Sequence, residues 1–205
     1  MPAVVTHALS GAPARLVRAL RPGQVYRREE LASLSTAVDR HLQELVSAGC
    51  LTKLAHGLYY APRESAFGVV PPTDEELVTA FLKDRDFLIF SPSAYNTAGL
   101  GTTQLYNRTW VYNRKRHGVF TLGSRQYNFQ VKARFPKRLS DEFLFVDALN
   151  NLSELAEDET VVLARANQRA RDGVLDGRQA VLVLPESNQS SLELVHELLS
   201  VDTTN

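Results

Sequence analysis

A chain of 205 residues with 44% hydrophobic and 22% charged residues has room for one generous domain or for a small domain joined to a medium one, and is too apolar to be disordered. Its 23 Lys/Arg balance 23 Asp/Glu, a formal net charge of zero that excludes a protein coating polyanions through bulk charge. No run of about eighteen apolar residues marks a helical membrane span, and the single cysteine, Cys50, excludes an intramolecular disulfide.

Residues 1–12 lack the charged start and long apolar middle of a signal peptide, so the expected address is the cytoplasm, with no membrane partner. The charge is unevenly spread. Residues 1–65 carry 8 Lys/Arg against 5 Asp/Glu, and residues 66–100 carry 2 against 5. Residues 101–138 hold 9 basic residues and no acidic one, while residues 139–205 hold 4 basic against 13 acidic.

In chain order, Pro13 suits the first turn of a helix, Leu16, Val17 and Leu20 share one face, and Pro22-Gly23 ends the run. A short second helix is expected over residues 28–34 with Leu31 and Leu34 turned inward, followed by a tight turn at 33–35. Residues 36–48 give the clearest helix: Val38, Leu42, Leu45 and Val46 form one stripe, and Gly49 supplies a left-handed stop. Leu51 to Leu54 and Leu58 to Ala61, separated by Ala55-His56-Gly57, read as a hairpin. Three short helices and a hairpin predict a winged helix-turn-helix, whose third helix enters a major groove.

Residues 63–72 read as a connector with Gly68 and Pro71-Pro72, placing a boundary between a DNA-binding domain at 1–66 and a second domain at 67–205. Thr73 and Glu76 have capping-box spacing ahead of Leu77, Val78, Phe81 and Leu82. Phe87-Leu88-Ile89-Phe90 reads as a buried strand, and alternation predicts further strands over 109–112, 119–122 and 127–133. Ser140 is placed to cap a helix through Phe143, Leu144 and Leu149. Acidic helical segments are expected after it, the last including Leu192, Val195, Leu198 and Leu199, and residues 179–184 suit either strand or helix. The expected class is α+β: an N-terminal winged helix-turn-helix followed by a mixed α+β second domain.

On a helical wheel the outer face of the third helix carries Thr36, Arg40, Gln43 and Ser47, with Glu44 alongside. Arg takes guanine bidentately, Gln takes adenine, and hydroxyls serve either base. A plain solvated face would carry the same residue types, so it is the flanking architecture that favours base reading. Arg28, Ser35, Lys53 and His56 complete the expected DNA-binding set, with Arg15, Arg18, Arg27 and Arg63 also available to phosphates. In the basic block, Arg108, Arg114, Lys115 and Arg116 define a second-domain basic surface, for which nucleic-acid binding and pairing with the acidic final third weigh equally. The interleaved Tyr106, Trp110, Tyr112, Phe120, Tyr127 and Phe129 alternate as core residues do.

No catalytic constellation is expected. The five histidines, His7, His41, His56, His117 and His196, have no metal spacing to one another, to Cys50 or to a carboxylate. Walker, nucleophile-elbow and Rossmann fingerprints are missing, and Gly99-Leu100-Gly101 lacks the rest of a phosphate loop. Cys50, beside a helix-ending glycine, reads as a packed thiol. The chain is therefore expected to be a non-enzyme without cofactor or metal.

Two segments carry a family resemblance. Residues 49–60, GCLTKLAHGLYY, resemble the helix end and wing of the AbiEi-type antitoxins of type IV toxin-antitoxin systems, and residues 91–104, SPSAYNTAGLGTTQ, resemble the segment opening their second domain. Together the matches span roughly residues 12–135. The resemblance implies a repressor of its own operon that opposes a nucleotidyltransferase toxin through its second domain. The expected partners are double-stranded operator DNA, such a toxin, and a second copy of the chain as a homodimer. The other reading is a protein-protein adaptor with a vestigial winged helix and a charge-split oligomerisation domain.

Overall fold

The computed structural model describes residues 11–100 and 102–171 and has a mixed α+β architecture. It divides into two compact units, Met1–Arg85 with Phe120–Gln126 and Asp86–Val119 with Tyr127–Asn205. The helical segments expected near the C-terminus and the ambiguous residues 179–184 lie outside the described residues.

The first unit opens with α1 (Ala12–Ala19), which carries Pro13 in its first turn and buries Leu16 completely. A three-residue strand, β1 (Val25–Arg27), leads directly into α2 (Arg28–Ala32). Next comes α3 (Val38–Ser47), which buries Val38, His41, Leu42 and Leu45, a spacing that keeps all four on one face. Gly49 ends it at φ 72°, a conformation other residues resist. β2 (Thr52–Ala55) and β3 (Leu58–Tyr60) form a hairpin, and β1 adds to β3 to give the antiparallel order β1-β3-β2. Leu16, Tyr26, Leu31, Val38, Leu42, Leu45, Leu51 and Ala61 make one core. Each such large apolar side chain stabilises the unit by about 1.5–3 kcal/mol relative to exposure.

The three residues of β1 are too few to show a period in the sequence. Leu34, expected to face inward, is 48% exposed. The helix stops at Ala32, so Leu34 lies past the face that carries Leu31.

The expected connector contains β4 (Arg63–Ser65) and β5 (Gly68–Val70), an antiparallel two-stranded ribbon. After Pro71-Pro72 comes α4 (Asp74–Leu82), fixed at its start by the capping box: Glu76 N–H donates to Thr73 Oγ1 at 3.2 Å and Thr73 N–H to Glu76 Oε2 at 2.8 Å. The compact unit runs through α4 to Arg85, not to residue 66. The reason is visible at Arg27, whose Nη1 donates to the carbonyls of Ala80 (2.7 Å) and Phe81 (3.0 Å) in the last turn of α4. Residues 120–126 join the same unit: Gly123 N–H donates to Leu54 O at 2.7 Å, Arg125 pairs with Asp74 at 2.7 Å, and the Phe120 and Phe81 rings stand 5.0 Å apart.

In the second unit, β6 (Phe87–Phe90) is followed by a 3-10 helix at Pro92–Ala98 and then β7 (Thr109–Asn113). β8 (Gly118–Leu122) and β9 (Arg125–Val131), whose residues 120–126 belong to the first unit, complete the sheet, in the order β6-β7-β9-β8, with β6 antiparallel and β9 parallel to β7. Ser140 caps α5 (Asp141–Asn150) by accepting from Phe143 N–H at 3.2 Å. A short 3-10 turn and α6 (Glu159–Arg171) follow. The core gathers Phe90, Tyr95, Trp110, Tyr112 and Phe143, rings that meet mostly edge to face at 5.1–6.3 Å. Trp110, Tyr112, Tyr127 and Phe129 are at most 2% exposed, as their alternation in sequence implied.

Candidate functional site

The exposed face of α3 presents Arg40, Gln43 and Ser47, with Thr36 exposed just ahead of the helix. These side chains face outward because the apolar stripe fixes the opposite face. Arg40 Nε stands 3.6 Å from Glu44 Oε1, an i,i+4 pair with side chains 72% and 42% exposed, too loose and too solvated to hold the guanidinium in place.

Arg28, at the start of α2, behaves differently. Its guanidinium grips Asp39 in the first turn of α3 through two bonds of 2.6 Å, and its backbone N–H donates to Gly57 O at 2.9 Å. The residue thus ties together α2, α3 and the β2–β3 turn. Arg28 holds the Asp39 carboxyl below the usual carboxylate range, with a smaller contribution from His56, and the pairing raises the Arg28 guanidinium above its own ordinary value. Lys53 and His56 are exposed on β2 and its turn.

Ser35 does not share the outer face. It is half-buried, its hydroxyl 2.6 Å from Nδ1 of the buried His41 while accepting from Ala37 N–H at 3.2 Å, so it fastens the turn ahead of α3. Arg27 is likewise committed to the α4 carbonyls. Arg15, Arg18 and Arg63 are exposed.

The second-domain basic residues divide. Arg114, Lys115 and Arg116 form the β7–β8 turn and are all exposed. The turn is clamped by Asn113, itself 1% exposed: its Oδ1 accepts from the N–H groups of Lys115 (2.8 Å) and Arg116 (2.7 Å), and its Nδ2 donates to Arg116 O (2.9 Å). Because Asn113 pairs with Val131 in the parallel ladder, the same end of the sheet also receives the segment after β9, with exposed Arg134, Lys137 and Arg138. Asp86 at this end binds Arg114 at 2.8 Å. Arg108 is exposed but precedes β7, so the length of that strand, about 3.3 Å per residue, separates it from the cluster.

Sequence reading missed a buried polar network in the second unit. Asp147, 6% exposed on α5, accepts from Tyr95 Oη (2.6 Å) and from Tyr112 Oη (2.8 Å to Oδ2), while Asn151 Nδ2 donates to Tyr112 Oη at 3.2 Å. Burial raises the Asp147 carboxyl above its usual range, opposed by the hydrogen bonds from Tyr95 and Tyr112 and by Lys132. The phenols of Tyr95 and Tyr112 are raised by burial and by the adjacent carboxylate. A lone Asp in the apolar run of α5 was the available signal. With its oxygens occupied, the network ties α5 to β7 and the 3-10 helix.

Among the described residues no three His, Cys, Asp or Glu side chains converge as metal ligands, and no helix is long and apolar enough to cross a membrane. Burial raises the Cys50 thiol above its ordinary value, which disfavours the nucleophilic thiolate. No protein-family profile, curated protein or solved structure matches this chain.

Proposed function

We propose that the protein is a sequence-specific DNA-binding repressor that autoregulates its operon, with its first unit acting as a winged helix-turn-helix. The observation that carries this reading is the exposed Arg40, Gln43 and Ser47 row on α3, a helix fixed by its core stripe and by the Arg28–Asp39 brace. Those side chains match guanine and adenine edges in a major groove. The order helix, strand, two helices, hairpin supports the same assignment. Arg15, Arg18, Lys53 and His56 supply phosphate contacts, and an operator read as two half-sites compensates for the modest charge of the unit.

The antitoxin role rests on the resemblance to the AbiEi-type family: the second unit opposes a nucleotidyltransferase toxin, and its basic sheet end is a working surface for DNA, toxin or both. The protein acts without a cofactor, in the cytoplasm. One observation favours the adaptor reading instead: the Arg28 cation is taken up by Asp39. Gel shifts of the full chain on its own promoter and on random DNA separate the two. Preferential binding to the promoter supports the repressor, and equal or no binding removes it.

A further inference from the structure

The β4–β5 ribbon is exposed along residues 63–69, and its sheet has two strands. Such a ribbon is marginal in water by itself. Ser65 pairs with Gly68, leaving Ala66 and Phe67 at the tip. Ser65 Oγ donates to Gly68 O at 2.9 Å and accepts from Phe67 N–H at 3.2 Å. This small tight turn holds the Phe67 ring wholly in solvent, at 101% relative exposure. Val69 beside it is 59% exposed.

At the base of the ribbon, within the same unit, lies a cavity of about 370 Å³ lined by Leu54, Tyr60, Pro71, Pro72, Leu77 and Leu122, with Val69 on its wall. A cavity of about 150 Å³ already holds a benzene ring, so a phenyl side chain fits. The chain's own Phe67 is turned out at the far end of the ribbon.

We infer that this face pairs two copies of the chain, each inserting Phe67 into the other's cavity. A two-fold axis supplies the geometry: antiparallel packing of two ribbons sets each tip over the other's base, so the tip and the cavity serve as the two halves of one self-complementary patch. The charges agree. Glu64 is the cross-strand partner of Val69, so it shares the face that Val69 turns to the cavity, and Lys53 rims that cavity. The two-fold brings Glu64 of one copy to Lys53 of the other. DNA is the poorer occupant of the ribbon, because Arg63 and Glu64 cancel and leave phosphates little attraction.

Sedimentation of the full chain without DNA tests the pairing independently of the repressor reading. The wild type is expected to be a dimer, and Phe67→Ser to raise its dissociation constant about 10- to 100-fold while the melting of the separated monomer, measured below the dissociation constant, stays unchanged, since the ring is unburied within one chain. Glu64→Lys and Lys53→Glu should each weaken the dimer, and the double charge reversal should restore it. A monomeric wild type, a dimer indifferent to Phe67→Ser, or charge reversals whose effects simply add overturns the inference.

Discussion

Arg28 Nε and Nη2 each donate to a separate oxygen of Asp39 at 2.6 Å, joining the first residue of α2 to the first turn of α3. The brace orients the proposed reading helix and at the same time cancels a cation on the face where phosphates would lie. Structural order and electrostatic affinity are in opposition at this pair.

Asp39→Asn is therefore expected to free Arg28 for a phosphate. The slope of log affinity against log salt should steepen by about one unit on any duplex. Anisotropy titrations at several salt concentrations measure it, and an unchanged slope would mean Arg28 stays away from the backbone.

Arg40→Ala should weaken binding to the cognate operator by about 1–3 kcal/mol and affect random DNA much less. The loose contact with Glu44, 3.6 Å long, is no obstacle to a bidentate contact with guanine. Equal losses on both duplexes would reassign Arg40 to phosphate.

Replacing Arg114, Lys115 and Arg116 together with Ala should flatten the salt slope by up to about three units if the sheet end binds nucleic acid. If the turn instead pairs with the acidic C-terminal third, stability shifts and the slope does not. Loss of the exposed Arg114–Asp86 pair should itself cost only about 0.2–1 kcal/mol. Asn113→Ala gives the complementary measurement: all three charges remain, but the clamp that aims them is gone.

Burial raises the Asp147 carboxyl in the folded protein. Between the unfolded and folded values the native state holds the proton that the unfolded chain has released, so this group's contribution to stability falls as pH rises above the ordinary carboxylate range and then levels. The melting temperature of wild type minus that of Asp147→Asn should follow that decline. A difference that rises with pH over the same window would show instead that the Tyr95 and Tyr112 hydrogen bonds outweigh desolvation. Tyr112→Phe leaves Asn151 and Asp147 short of a partner and should cost about 1–3 kcal/mol.

Arg27→Met should destabilise the first unit by about 1.5–3 kcal/mol, because the charged bonds to the Ala80 and Phe81 carbonyls are lost. A fragment ending at residue 66 lacks those acceptors along with the buried Leu77 and Val78. It should melt below a fragment ending at residue 85, and chemical denaturation of the two compares them directly.

Local rules were enough for much of the architecture. The apolar stripe of α3, the Thr73–Glu76 box, the Ser140 cap and the alternation at Tyr127 and Phe129 each express a short-range period or a cap, so the sequence by itself determined those elements and an α+β protein built from them. It also determined which way Arg40, Gln43 and Ser47 point, because a helix with one apolar face has no choice about the other. What the tertiary structure decided depends on partners distant in sequence. Arg27 meets carbonyls more than fifty residues away, Asp147 meets Tyr95 and Tyr112 from other elements, and Arg114 meets the Ala133 carbonyl and the Phe135 ring just beyond a parallel strand pairing. The same residue types in the linear chain signal a phosphate contact, a surface carboxylate and a loop. Only the fold sets the distances that select which hydrogen bonds and charges come together.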